Sequence, residues 1–135
     1  MVDLSRRHPA GCALASSSRL VRARGYRAAV RRLVHLVARR VVIEGLSMTP
    51  TYRPGERVLV VRRWRRVRPG DVVLARDPRD PERWLLKRCA ARRGAAVDLR
   101  GDNAAVSTDS RDFGDVSARA IGWLVVRPRR AHPVG

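Results

Sequence analysis

The chain has 135 residues, with 30 Lys+Arg against 12 Asp+Glu and a formal net charge of +18. That length fits one domain, and 44% hydrophobic residues can supply a modest core, which excludes a wholly disordered chain. Three Trp, two Tyr and one Phe are too few for a base-stacking surface.

The two cysteines, Cys12 and Cys89, form no CxxC, and His8, His35 and His132 share no ligand-like spacing. Neither a metal site nor a disulfide framework is expected, and no cofactor. Lys87 is the only lysine, set against 29 arginines. It marks a position where a cation other than arginine is needed. Ten arginines and a single acid fall in the first forty residues, so half of the excess positive charge lies there. That part is the natural candidate for contact with an anionic surface.

Residues 1–18, rich in Ser, Ala, Arg and Pro, read as a flexible tail. No stretch reaches about 18 apolar residues, so no membrane-spanning helix is encoded. Arg6-Arg7 are followed by His8-Pro9, and Ala13 to Ser18 are too polar for the apolar centre of a signal peptide. A cytoplasmic protein is expected.

Residues 19–40 read as a basic amphipathic helix. Tyr26, Val30, Leu33, Val34, Val37 and Val41 fall on one stripe, and Arg24, Arg27, Arg31, His35 and Arg39 line the other side. Such a helix can lie at the inner face of an anionic membrane, bind an acidic partner, or pack on its own domain.

From residue 41 the pattern is mainly β, with short β-branched runs separated by turns, as in a small antiparallel barrel or sandwich. The expected strands are Val41–Glu44, Arg57–Arg62, Asp71–Arg76, Trp84–Ala90, Ala95–Arg100 and Ala120–Val126. Turns fall at Arg53-Pro54-Gly55, at Arg68-Pro69-Gly70 and at a hairpin tip over residues 77–81. Residues 101–117 are polar and read as a loop. The domain spans 41–126, and residues 127–135 read as a flexible tail.

Three segments carry chemistry. Glu44-Gly45-Leu46-Ser47-Met48-Thr49-Pro50-Thr51 places a serine after a strand in a Pro-containing turn. Such a turn can project a hydroxyl while leaving backbone N–H groups free, the ingredients of a nucleophile with an oxyanion site. Most turn serines only satisfy the backbone.

In Trp84-Leu85-Leu86-Lys87-Arg88-Cys89-Ala90, strand alternation puts Lys87 on the face of Leu85 and Cys89. Desolvation there lowers a lysine's pKa, and a neutral amine can act as general base, which a guanidinium cannot. An edge-strand lysine reaching to water is the plainer alternative. The third segment, Gly101 to Gly114, is dense in small hydrogen-bonding groups. Asp109 and Arg111 can pair locally, and Asp102 is available to an arginine elsewhere.

In combination, Gly-x-Ser-Met-x-Pro-Thr, Arg-Pro-Gly-Asp-Val-Val (68–73), Leu-Lys-Arg (86–88), Gly-Asp-Asn and Ser-x-Asp-Ser-Arg (101–111) resemble the type I signal peptidase family, peptidase S26. The resemblance covers about residues 41–126 and implies a serine endopeptidase with a Ser–Lys dyad on a mostly antiparallel β fold. It implies that Ser47 is the nucleophile, Lys87 the general base and Ser107 the serine that orients the lysine. Arg88 with Asp102, and Asp109 with Arg111, would be structural pairs. Met48 and Pro50 would set the nucleophile's turn, and Asn103 and Ser110 belong to the matching motifs. Gly45 stands where some members carry an oxyanion serine, so backbone donors would serve instead.

Within the family, the small size and the Gly-Asp-Asn-x-x-x-Ser-Thr-Asp-Ser-Arg segment are similar to the nickel-type superoxide dismutase maturation proteases. The implied substrate is then a nickel superoxide dismutase precursor with an N-terminal propeptide. Cleavage of exported preproteins at the membrane surface, as by signal peptidase I, is the alternative. A reading of another class, a basic nucleic-acid-binding protein, follows from charge alone and leaves the Ser, Lys and Gly-Asp-Asn segments unexplained.

Overall fold

The computed structural model describes residues 31, 33–34, 36–126 and 128–131. Among these residues seven strands form one antiparallel sheet: β1 (Ala38–Val42), β2 (Arg57–Arg62), β3 (Val72–Asp77), β4 (Asp80–Arg93), β5 (Ala96–Arg100), β6 (Val116–Ser117) and β7 (Ile121–Val125). Their order across the sheet is β1-β2-β7-β3-β4-β5-β6. The mainly β expectation is met.

Most of the expected strand centres are found, and the boundaries differ for physical reasons. Ala38–Arg40, expected at the end of the helix, are strand: Ala38, Arg39 and Arg40 pair with Val61, Val60 and Leu59 of β2. Long-range pairing with a neighbouring strand overrides the helical periodicity that the Arg-Val pattern also fits. Arg31, Leu33, Val34, Leu36 and Val37 are helical. The rest of the 19–40 helix and the 1–18 tail lie outside the described residues. Among the described residues no helix is long and apolar enough to cross a membrane.

The hairpin tip is tighter than expected. β4 begins at Asp80, opposite Asp77, which leaves Pro78-Arg79 as the turn. Pro81 sits within β4 where the strand pairs on one side only, since β5 joins from Arg88 onward. A residue without an N–H is tolerated at such an edge.

The loop expected over 101–117 contains a short helix α1 (Ser110–Phe113) and strand β6, whose Val116 pairs with Val97. Two residues are too short a run for periodicity to signal. In the 127–135 tail Arg129 is tied down: its backbone N–H donates to the Tyr52 hydroxyl at 2.8 Å and its Nη1 reaches Glu56 Oε2 at 3.0 Å.

Strand alternation sends side chains to two cores, one on each face. One gathers Val73, Ala75, Cys89, Val97, Leu99, Ile121 and Leu124. The other gathers Ile43, Met48, Tyr52, Val60, Leu74 and Trp123. Cys89 is buried, and burial pushes its thiol up to about 11. Between β1 and β2, residues 43–56 form a closed excursion. Ile43 N–H donates to the Glu56 carbonyl and Gly55 N–H to the Ile43 carbonyl, both at 2.8 Å. Ser47 rides on this excursion.

Candidate active site

The Ser47 turn is held from three sides. Met48 and Tyr52, each 2% exposed, anchor it in the second core, and Tyr52 N–H donates to the Met48 carbonyl at 2.9 Å. Thr49 closes it locally: its N–H and its hydroxyl both donate to the Leu46 carbonyl. The Thr49–Pro50 peptide is cis.

From across the fold, Asn103 N–H donates to the Ser47 carbonyl at 2.9 Å, and Asn103 Nδ2 donates to Thr49 Oγ1 at 2.9 Å. The Gly-Asp-Asn segment thus clamps the serine turn. Gly101 is obligatory to that approach. A Cβ there would lie 2.6 Å from the Ser47 carbonyl oxygen and 2.5 Å from Ser107 Cβ. The Ser47 backbone N–H has no acceptor among the described residues.

β4 delivers Lys87. Its pairing with Val73 and its position between Leu85 and Cys89 turn the side chain inward, and it is 3% exposed. Its Nζ donates to Ser107 Oγ at 3.0 Å, and Ser107 Oγ donates to Asp109 Oδ2 at 2.7 Å. Burial is the main cause that pushes the Lys87 amine below its ordinary 10.5; Asp109 pulls it up, while Arg83, Arg111 and Arg79 push it down.

Asp109 is fully buried and also accepts from Gly101 N–H at 2.8 Å and from the Arg111 guanidinium. Burial alone would raise its carboxyl. The hydrogen bonds from Arg111, Gly101 and Ser107 outweigh that and hold it far below the usual carboxylate range. Asp109 is therefore an obligate acceptor for Ser107.

That fixes the direction of the chain. The one Ser107 hydroxyl proton is committed to Asp109, so Ser107 can only accept from Lys87. A neutral Lys87 must then spend an N–H on Ser107, and its lone pair points elsewhere. The spacing Ser-x-Asp in 107–109 was the available signal for this link. The sequence reading paired Asp109 with Arg111 only and missed it.

The remaining motif residues support the same corner. Arg88 grips Asp102 with Nε and Nη2, each at 2.8 Å, and its Nη1 reaches the Gly70 carbonyl. Arg88 and Lys87 alternate, so this pair lies behind the strand from Lys87. Ser110 Oγ accepts the Leu99 N–H at 2.8 Å, docking α1 on β5. Asp109 and Asp112 form a capping box on α1. Gly45 has φ of 76° and no side chain within reach of the cleft chemistry.

Ser47 and Lys87 line one cleft of about 650 Å³. One wall runs from Val41 to Met48 at the end of β1, the edge strand; the other is Arg83–Lys87 of β4. Trp84–Lys87 are bonded to β3 on one side and, among the described residues, to no strand on the other. Two open strand edges thus border the cleft, each offering unpaired N–H and C=O groups to an extended peptide. Leu74, Leu86, Val60 and Trp123 give the cleft an apolar part. The arginines Arg39, Arg79 and Arg83 in its lining were not anticipated from sequence.

A family model for signal peptidases, peptidase S26, matches residues 26–103, which include Ser47 and Lys87. The chain is similar to the mitochondrial ATP-independent inner membrane protease subunit 1a of Arabidopsis thaliana. The two are 33% identical over 114 residues, covering 62% of this chain and 68% of the relative. The chain therefore belongs to the signal peptidase family, peptidase S26, and is a protease that acts on protein substrates.

Proposed function

We propose that this protease works through a Ser47–Lys87 dyad to remove an N-terminal segment from a precursor protein, most specifically a nickel superoxide dismutase precursor. The single observation that carries the dyad is Lys87: buried, its Nζ 3.0 Å from Ser107 Oγ, in the same cleft as Ser47. The uncharged amine takes the Ser47 hydroxyl proton as Ser47 Oγ attacks the scissile carbonyl. The Ser47 N–H donates to the developing oxyanion. Lys87 returns the proton to the leaving amine, the acyl-enzyme forms, and a water deprotonated by Lys87 hydrolyses the ester. Ser107, locked by Asp109, keeps the lysine lone pair turned away from itself. The substrate lies extended along the open edge of β4.

The choice of substrate rests on the similarity of residues 101–111 to the nickel-type maturation proteases. A second reading, cleavage of exported preproteins at a membrane surface, is favoured by the name of the relative, an inner membrane protease subunit. Incubating the purified chain with the dismutase precursor and sequencing the product's N-terminus tests the first reading. A single new N-terminus with the native chain and none with Ser47→Ala or Lys87→Arg is the expected result. Processing by either variant would sink the dyad. If the dismutase precursor stays intact while a preprotein on anionic liposomes is cut and the enzyme floats with the lipid, the second reading holds.

A further inference from the structure

The cleft carries a charge that the proteolytic chemistry leaves unused. Arg83 is an exposed residue next to Trp84, the last regularly paired position before the irregular start of β4, and it lines the cleft together with Leu85 and Lys87. Among the described residues Arg83 donates no hydrogen bond and enters no ion pair. The acid it acts on electrostatically, Asp77, is already taken: Arg79 Nε and Nη2 hold its two oxygens at 3.0 and 2.8 Å, and the Arg79 N–H adds a third bond at 2.9 Å. Arg79 is thereby pinned at the cleft rim with its charge offset, while Arg83 has no hydrogen-bonded acid among the described residues. Arg39, stacked 5.0 Å over Trp123, adds a third guanidinium to the lining, against one acid, Glu44.

We infer that Arg83 is a specificity residue whose guanidinium binds a carboxylate side chain of the substrate, Asp or Glu, about four residues from the scissile bond. This deepens the reading of the cleft as the substrate site and rests on it. The spacing follows from the strand. A peptide laid along the open edge of β4 advances in step with it, at about 3.3 Å per residue. Arg83 is four residues before Lys87, so its partner is displaced by about that many from the bond being cut. A planar guanidinium suits a carboxylate because it can donate two parallel hydrogen bonds. The position of Arg83 also agrees with its push on the Lys87 amine, the largest of the three arginine effects there.

The general attraction of a +18 chain for any acidic peptide must be separated from this local effect. Binding is measured by fluorescence anisotropy with the full-length Ser47→Ala chain, so the result does not depend on turnover. The probes are fluorescein-labelled, alanine-rich dodecapeptides in which one Asp, Asn or Lys is moved through every position. The expected result is tighter binding of Asp over Asn by about tenfold at one or two neighbouring positions only. Adding Arg83→Glu removes that preference and makes Lys the favoured residue there. Adding Arg66→Glu, an equal charge change outside the cleft lining, keeps it. Equal binding of Asp and Asn peptides at all positions, or a preference that survives Arg83→Glu, overturns the inference. Cleavage of the same peptides by the chain with Ser47 intact tests the protease reading separately. Discrimination by the Ser47→Ala chain together with equal cleavage by the native chain and its Lys87→Arg variant would uphold Arg83 while removing the dyad.

Discussion

Replacing Gly101 by alanine adds one methyl group at the point where the three motif segments meet. The new Cβ would stand 2.6 Å from the Ser47 carbonyl oxygen and 2.5 Å from Ser107 Cβ. Both are well inside van der Waals contact, and neither neighbour can move freely. The Ser47 carbonyl is backbone and already accepts the Asn103 N–H at 2.9 Å. Ser107 is held between Lys87 and Asp109.

Relief of about 1 Å on either side is required, and overpacking of this kind costs roughly 1–3 kcal/mol. For a folded unit of this size, each kcal/mol lowers Tm by about 4–8 °C, so a drop of roughly 4–24 °C is expected. Activity suffers more than stability, because a displacement near 1 Å at reacting groups costs on the order of a hundredfold. Gly101→Ala is therefore expected to retain a β circular dichroism spectrum, melt earlier, and lose about a hundredfold in kcat/KM on a cleavable peptide. A variant with native Tm and native kcat/KM would refute the claim that the close approach at Gly101 sets the Ser47–Ser107 geometry.

Lys87→Met keeps the length and removes the base. Activity should fall by roughly a thousandfold, while Tm at neutral pH holds or rises, because a buried amine with a lowered pKa destabilises the fold below its ordinary titration range; a lower Tm would contradict that burial. The kcat/KM of the native chain should rise with pH through an acid limb placed below the ordinary lysine value of 10.5. Asp109→Asn removes the group that pulls the amine up, so its limb should move to lower pH; a move to higher pH would show that the assigned electrostatics are wrong. The same carboxyl titrates far below its unfolded range, so its stabilisation is present above about pH 4 and fades as pH falls through the folded-state value. The Tm gap between the native chain and Asp109→Asn should narrow accordingly in acid. Arg88→Ala leaves Asp102, 4% exposed, without its bidentate partner, and urea unfolding should show a loss of about 3 kcal/mol; a loss under 0.5 kcal/mol would mean that water reaches the carboxylate.

Much of the fold and of the candidate site is legible in the amino-acid sequence. The strand β2 was expected over Arg57–Arg62 and is found there, because alternating valines bounded by turns have few other uses. The pairing of Arg88 with Asp102 and of Arg111 with Asp109 followed from the motifs and is present in the geometry. The uniqueness of Lys87 needed only counting, and its place on an apolar strand face needed only a period of two.

What sequence could not decide depended on contacts between distant segments. Ala38–Arg40 fit a helix until β2 offers its edge. The two-residue β6 exists only because Val97 is there to pair with Val116. The direction of the hydrogen bonds from Lys87 through Ser107 to Asp109 is set by a buried carboxylate whose proton is excluded by three surrounding donor residues, a property of the assembled loop. Arg83 is the clearest case. By composition it is one arginine among 29. Only the closing of Asp77 by Arg79, a turn away, leaves it without a bonded acid among the described residues of the cleft.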